Sequence, residues 1–364
     1  MNYSKRLEKL QIFLKEKNLD ALLVDSPINI FYLTGMSVSL GRIIVEQKNA
    51  LFFVDARYVE TCKKNSPIPV TLSSDNAFLS YLSSPKYANF QTLAFDSLFT
   101  NYYNFTVLKE QILSTKNPHL TLTPIEHPLE KLRNIKDREE IYALKQAAEL
   151  GSLGFDFACS LLKENISETE VSQELEIFWK RKGSDKLAFE INISFGPNSS
   201  MPHHRASTAK LKKEQVVLMD IGVTLNHYNS DMTRTVFFGT PSHEMHKIYS
   251  IVQEAQQTAL DHCHPGVSLG DLDFISRSVI EKAGYGKHYS HSLGHGIGLD
   301  VHEFPTIRNT PPNKDFLLTP GMVITIEPGI YLPKIGGVRI EDTIVITENS
   351  YENLSLRPKE LTIL

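Results

Sequence analysis

Four acids stand out because they come as two matching pairs. In MDIGVTLNHYNSDMTRTVFF, Asp220 closes an apolar run and Gly222 follows, while Asp231 is followed by Thr233 and a second apolar run. In IEPGIYLPKIGGVRIEDTIVIT, Glu327 is followed by Gly329 and Glu341 by Thr343, with apolar runs in the same places. The two stretches read as a weak internal repeat of one strand–turn–strand unit. Asp220 and Asp231 are symmetric about Leu225–Asn226, and Glu327 and Glu341 about Lys334, so hairpins centred there set each acid opposite its partner. Opposed residues have Cβ atoms roughly 4.5–5.5 Å apart, where like charges repel. Such pairs survive burial only with positive charge between them, and a divalent cation supplies it. Taken singly, each acid reads better as a turn or cap residue of a surface hairpin. It is the four in matching positions that point to a cation site.

The histidines add to this. HYSHSLGHGIGLDVHEFP holds His288, His291, His295 and His302, with Gly294, Gly296 and Gly298 around the third. Glycine lets the backbone approach another group closely. Imidazole suits Mn, Fe, Co or Zn, whereas carboxylates favour harder ions. One imidazole with four carboxylates makes an oxygen-rich dinuclear site, unlike a structural zinc site built from cysteine or several histidines. His203 and His204, in GPNSSMPHHRAS, sit in a Gly/Pro/Ser loop after a strand, a setting that often holds site residues; alone that pair is a weak signal. His119, His127, His227, His243, His246, His262, His264 and His288 are left as ordinary surface or core residues.

The elements that must position these groups fall into two parts. Residues 4–17 carry Leu7, Leu10, Ile12, Phe13 and Leu14 at helical spacing, and the runs at 20–25, 28–35, 41–46 and 50–55 read as strands. A further strand at 93–96 and the segment 103–113 complete an α/β pattern. Three prolines between Asn117 and Pro128 read as the connection, giving domains at 1–126 and 127–364. The second part reads as α+β. Helices are expected over 137–162, from the capping box Ser167–Glu170, over 242–263 and from Ser268, with antiparallel, hairpin-linked strands between and after them.

The 364 residues suit two domains, and 41% hydrophobic with 22% charged residues is a globular profile. A net charge of -4 argues against a nucleic-acid footprint. No apolar run approaches the ~18 residues of a membrane helix, and the charged first 20 residues contain no signal-peptide core. Three scattered cysteines, Cys62, Cys159 and Cys263, fit a reducing cytoplasm without disulfides, and they and Trp179 read as core residues.

Together SFGPNSSMPHHRAS, VVLMDIGVTLNHYNSDMTRTVFFG, HSLGHGIGLDVHE, LTPGMVITIEPGIY and GGVRIEDTIVIT resemble the pita-bread metallopeptidases: Xaa-Pro aminopeptidase, Xaa-Pro dipeptidase and, more distantly, methionine aminopeptidase. DALLVDSPINIFYLTG and ALFFVDARY look like the creatinase-type N-terminal domain of the proline-specific members. The resemblance implies five metal ligands, Asp220, Asp231, His295, Glu327 and Glu341, with Asp231 and Glu341 bridging two divalent ions. Manganese is favoured, with Co, Fe or Zn as alternatives. It implies catalytic roles for His203, His302 and Glu327, with a shared water ionised near neutral pH and Glu327 passing its proton. His291 lines a proline pocket, and Arg339 either contacts substrate or pairs a carboxylate near the metals. Asp300 departs from the family pattern, standing where Glu is common. The implied activity is an aminopeptidase that cleaves the N-terminal Xaa-Pro bond of peptides, in a homodimer or larger homo-oligomer without nucleic-acid or membrane partners. A strict Xaa-Pro dipeptidase is the first alternative. A metal-free amidinohydrolase and a silent binding scaffold of the same fold fit the intact ligand set less well.

Overall fold

Asn2 caps the first helix by accepting from Lys5 N–H, and α1 (Tyr3–Glu16) turns Leu10 and Leu14 inward as the spacing predicts. The computed structural model describes residues 1–364 apart from Asp75, Asn76, Lys116 and Pro118. It divides into two compact units, Met1–Arg133 and Asn134–Leu364.

In the first unit, β1 (Ala21–Val24), α2 (Pro27–Thr34), β2 (Gly41–Glu46), β3 (Ala50–Val54), β4 (Val70–Leu72), β5 (Thr92–Asp96), α3 (Tyr102–Leu113) and β6 (Thr121–Ile125) build a six-stranded sheet of order β4-β3-β2-β1-β5-β6. The β1–β2 and β2–β3 pairs are antiparallel and the others parallel. Ala21, Leu23, Ile44, Phe53, Phe78, Leu93 and Leu108 share its core. Two expectations fail here. The run at 28–35 is helical: Pro27 presets the first turn, Gly35 closes it at φ 71, and an apolar run this short carries no period that separates strand from helix. The connection expected at 117–128 contains a strand, because β6 pairs with β5 from Thr92↔Thr121 to Asp96↔Ile125. Pro118, also assigned to that connection, lies outside the described residues.

Glu46, at the end of β2, is buried beside Lys86 at 2.6 Å and accepts hydrogen bonds from Tyr87 and Tyr81. Burial pushes its carboxyl up, but the Lys86, Tyr87 and Tyr81 donors outweigh this and hold it below its ordinary value of 4.5. A depressed carboxyl contributes stability above its unfolded pKa and loses it as pH falls through the folded one. The stability gap between wild type and Glu46→Gln is therefore expected to stay constant above pH 4.5 and to close below it. Urea unfolding from pH 7 to pH 3 reads this, and a gap independent of pH would contradict it.

The second unit opens with α4 (Arg138–Leu161), capped by Asp137 and Glu140, and α5 (Glu168–Arg181), capped by Ser167 and Glu170 as the sequence predicts. Trp179 of α5 is fully buried and donates to Leu150 O at 2.9 Å. Strands β7 (Asn192–Phe195), β8 (Gln215–Ile221) and β9 (Met232–Phe238) are antiparallel neighbours. Helices α6 (His243–Asp261) and α7 (Leu269–Lys282) follow. Next come β10 (Gly294–Gly296), β11 (Glu303–Ile307), β12 (Val323–Ile326), β13 (Gly329–Leu332), β14 (Gly336–Arg339), β15 (Asp342–Ile346), β16 (Tyr351–Asn353) and β17 (Thr362–Ile363). They give a five-stranded sheet β11-β10-β12-β15-β16 and the β13–β14 hairpin. β17 joins β9 in parallel, an exception to the antiparallel expectation. Among the described residues no helix is long and apolar enough to cross a membrane. The three cysteines are free; Cys62 and Cys263 are buried and Cys159 is half-buried.

The second acid-bearing hairpin has the expected register: Gly329↔Arg339 and Ile326↔Asp342 flank Glu327 and Glu341 symmetrically about Lys334, which takes φ 67. The first does not. Asp220 opposes Thr233 rather than Asp231. Asn226 and His227 both adopt positive φ, 51 and 69, so the turn is a two-residue loop centred between them, one position beyond Leu225–Asn226. Because strand side chains alternate with period two, Asp231 still lies on the face of Asp220 as a diagonal neighbour.

Candidate metal centre

The threonines of the repeat stitch the two acid-bearing units together. Thr233 Oγ1 donates to Glu341 Oε2 at 2.7 Å, and Thr343 Oγ1 donates to Asp231 O at 2.8 Å, so each unit's threonine holds the other unit's acid. Glu341 N–H adds a bond to Thr233 O at 3.1 Å. Between them Asp231, His295 and Glu341, all buried, place one ligand atom each within 4.8 Å of one another. Glu327 joins from the start of the second hairpin, its Oε1 3.5 Å from His295 Nε2, which also lies 3.5 Å from Asp231 Oδ2.

His295 comes from β10, squeezed between β11 and β12. A Cβ on Gly294 would lie 1.9 Å from Thr325 O, so only glycine allows the strand that carries His295 to approach β12 this closely. His295 Nδ1 faces Gly296 O at 3.0 Å, which fixes the proton there and leaves Nε2 with its lone pair toward the acids. Burial, with His302 beside it, lowers this imidazole to about 4, so it stays neutral and able to ligate.

Asp220 is turned to Arg339, whose Nη2 donates to it at 2.5 Å. The other Arg339 donors go to Thr233 Oγ1, Tyr331 OH and Pro202 O. Of the two roles the resemblance offered Arg339, the geometry supplies the carboxylate pairing. Asp231, Glu327 and Glu341 are each pushed up by burial first and then by neighbouring acids, Glu341 to about 7. Buried carboxylates that raise one another mark a site short of positive charge. Oxygen donors with a single neutral imidazole suit divalent cations of the Mn, Fe, Co and Zn group, so these residues fit such ions.

The His302 ring sits 4.4 Å from that of His295, and burial lowers its pKa from the ordinary histidine value. His291 is lowered to about 3, by burial first and by Arg339 next. Its Nδ1 donates to Ser292 O at 2.8 Å, so Nε2 accepts from Tyr331 OH at 2.9 Å, and Tyr331 in turn accepts from Arg339. With both nitrogens engaged, His291 offers substrate only ring carbon and π face. His203 lies close enough to weigh on both His291 and His302. Tyr331 was missed at the sequence level; its position four residues after Glu327 on an alternating strand was the available signal.

Comparison with known proteins identifies the family. Residues 142–348 match the family model described as metallopeptidase family M24, and residues 6–135 match the creatinase/prolidase N-terminal domain. An Xaa-Pro dipeptidase of Pyrococcus furiosus is 36% identical over 98% of this chain and 99% of its own. The structure of an Xaa-Pro dipeptidase from Bacillus anthracis superposes with TM-score 0.93 at 34% identity over the whole of both chains. That of an X-Pro aminopeptidase from Thermotoga maritima gives 0.86 at 30%, over 97% of this chain and 100% of its own. An N-terminal creatinase-type unit followed by a pita-bread catalytic unit is therefore the architecture, and the chain belongs to metallopeptidase family M24.

Proposed function

We propose that this metallopeptidase is an Xaa-Pro dipeptidase, a prolidase working in the cytoplasm. The observation that carries the reading is a buried Asp231–His295–Glu341 cluster, with Glu327 beside it, in a chain matched end to end by proteins named Xaa-Pro dipeptidase. The aminopeptidase that the sequence resemblance put first becomes the second reading, favoured by the Thermotoga maritima neighbour.

Asp220, Asp231, His295, Glu327 and Glu341 would hold two divalent cations, manganese being the first to try. When bound, such ions lower the pKa of water and polarise the scissile carbonyl. Glu327 takes the proton of the attacking water and passes it to the proline nitrogen as the bond to the Xaa carbonyl breaks. His302 and His203 donate hydrogen bonds to the oxyanion. Arg339 holds Asp220 in place, and Tyr331 locks the His291 ring so that its carbon face packs on proline.

Turnover of Xaa-Pro dipeptides, Xaa-Pro-Xaa tripeptides and Xaa-Ala controls, with added Mn and with chelator, tests the reading. The expected result is metal-dependent cleavage of Xaa-Pro with tripeptides at least about 10-fold poorer, a difference of about 1.4 kcal/mol in the transition state. Preferred cleavage of tripeptides would return the aminopeptidase reading. Chelator-insensitive turnover would reject the metal mechanism. We also expect a homodimer or larger assembly, which sedimentation reads directly.

A further inference from the structure

The loop after β7 carries His203, and its Pro202 O lies 3.5 Å from Arg339 Nη1. Asn192 Nδ2 donates to Pro202 O at 3.1 Å, Thr169 N–H to Ser207 O at 3.0 Å and Gly337 N–H to Ser199 Oγ at 2.8 Å, but one carboxylate gathers more of this loop than any of these. Glu168, the first residue of α5, is completely buried. Its Oε1 accepts from Phe195 N–H at 2.7 Å and Asn198 Nδ2 at 2.9 Å. Its Oε2 accepts from His204 Nε2 at 2.8 Å, Ser207 N–H at 2.9 Å and Ser207 Oγ at 2.6 Å. The donors lie on both sides of His203, at 195 and 198 before it and at 204 and 207 after it, so one side chain closes the loop into a ring. An ionised carboxylate has about four lone-pair sites, all acceptors, and five donors saturate them. The helix N-terminus adds favourable potential. Burial pushes this carboxyl up, yet the Ser207, Asn198, His204 and Phe195 donors together hold it below the ordinary range, which keeps it charged at neutral pH. A glutamine in its place would aim an N–H₂ at donors on one side.

We propose that Glu168 is a positioning residue for the reaction, fixing the loop 196–207 so that His203 points at the substrate carbonyl. This rests on the reading above that His203 acts on the substrate. Glu168 touches neither substrate nor metal ligands; its effect passes through His203.

The test is Glu168→Gln in the full chain, alone and combined with His203→Ala. Readouts are kcat and KM on an Xaa-Pro dipeptide with Mn, bound Mn per chain, thermal midpoint, and hydrogen exchange of 196–207. A catalytic group displaced by about 1 Å costs on the order of 10²-fold. Glu168→Gln is therefore expected to lower kcat by about that factor, with KM and bound Mn little changed and exchange faster in 196–207 alone. In the His203→Ala background the same change should cost under about 3-fold, since coupled residues do not add. Equal losses in both backgrounds, full activity of His203→Ala, or unchanged loop exchange would each overturn the proposal. Should Glu168→Gln not fold, Ser207→Ala, which removes one hydroxyl donor, must show the same coupling on a smaller scale. A wild type that cleaves no Xaa-Pro bond would sink the functional reading instead, and loop exchange would still accept or reject the anchor.

Discussion

Asp231→Asn is expected to lower kcat/KM by about 10³-fold or more, the several kcal/mol that a bound cation contributes to the transition state. It is also expected to make the metal-free protein more stable. Asp231 is buried, and burial together with Glu341, Asp220 and Glu327 already works against its charge. An amide of the same shape removes one of the crowded negative charges, and with it repulsion that nothing in the metal-free protein offsets fully. Manganese reverses the order. An ion that binds only the folded state stabilises by mass action, and the wild type binds it more tightly. Thermal midpoints in chelator and in Mn should therefore cross between the two proteins. An equal Mn-induced rise in both would show that Asp231 holds no ion.

Arg234→Ala should produce the largest loss of stability, about 3–5 kcal/mol, the range for stripping one partner from a buried ion pair. Arg234 is buried and pairs with Asp342 Oδ1 at 2.6 Å. It also donates to Thr233 O at 3.0 Å and Glu341 O at 2.5 Å, which ties the two acid-bearing units together behind the candidate ligands. Removing it leaves a buried carboxylate that Lys359, at 2.9 Å, offsets only in part. Adding Asp342→Asn to the variant should restore part of the loss, a coupling that distant residues do not display. Urea unfolding in chelator measures all three. A loss below about 1 kcal/mol, the scale of a surface ion pair, would mean that the network contributes little.

The cluster of Asp231, His295 and Glu341 was legible because chemistry restricts such residues: acids in matching positions and a histidine among glycines leave few uses. Their geometry was less legible. The register of the first hairpin hung on which two residues of LNHY turn, and Asn226 and His227 taking positive φ is a backbone choice that apolar patterning does not encode. Residues 28–35 went the wrong way because the more open face of the helix, Pro27, Ile28 and Phe31, is itself apolar, so no polar face reveals the period. Glu168 read only as a member of a capping segment, since its partners at 195–207 come together through tertiary folding. Arg234 was hidden for the same reason. Each meets its partners across the fold rather than along the sequence.

All five candidate ligands lie at or before residue 341, yet Arg234 also donates to Pro358 O at 3.1 Å, Arg357 O at 2.9 Å and Ser355 O at 3.3 Å. Those carbonyls follow the last candidate ligand in the sequence. A chain cut near residue 350 would keep every candidate ligand and the bonds of Arg234 to Thr233 O, Glu341 O and Asp342, but lose the three carbonyls that complete the brace, so trimming this distal segment is expected to loosen the acids from behind without touching one of them.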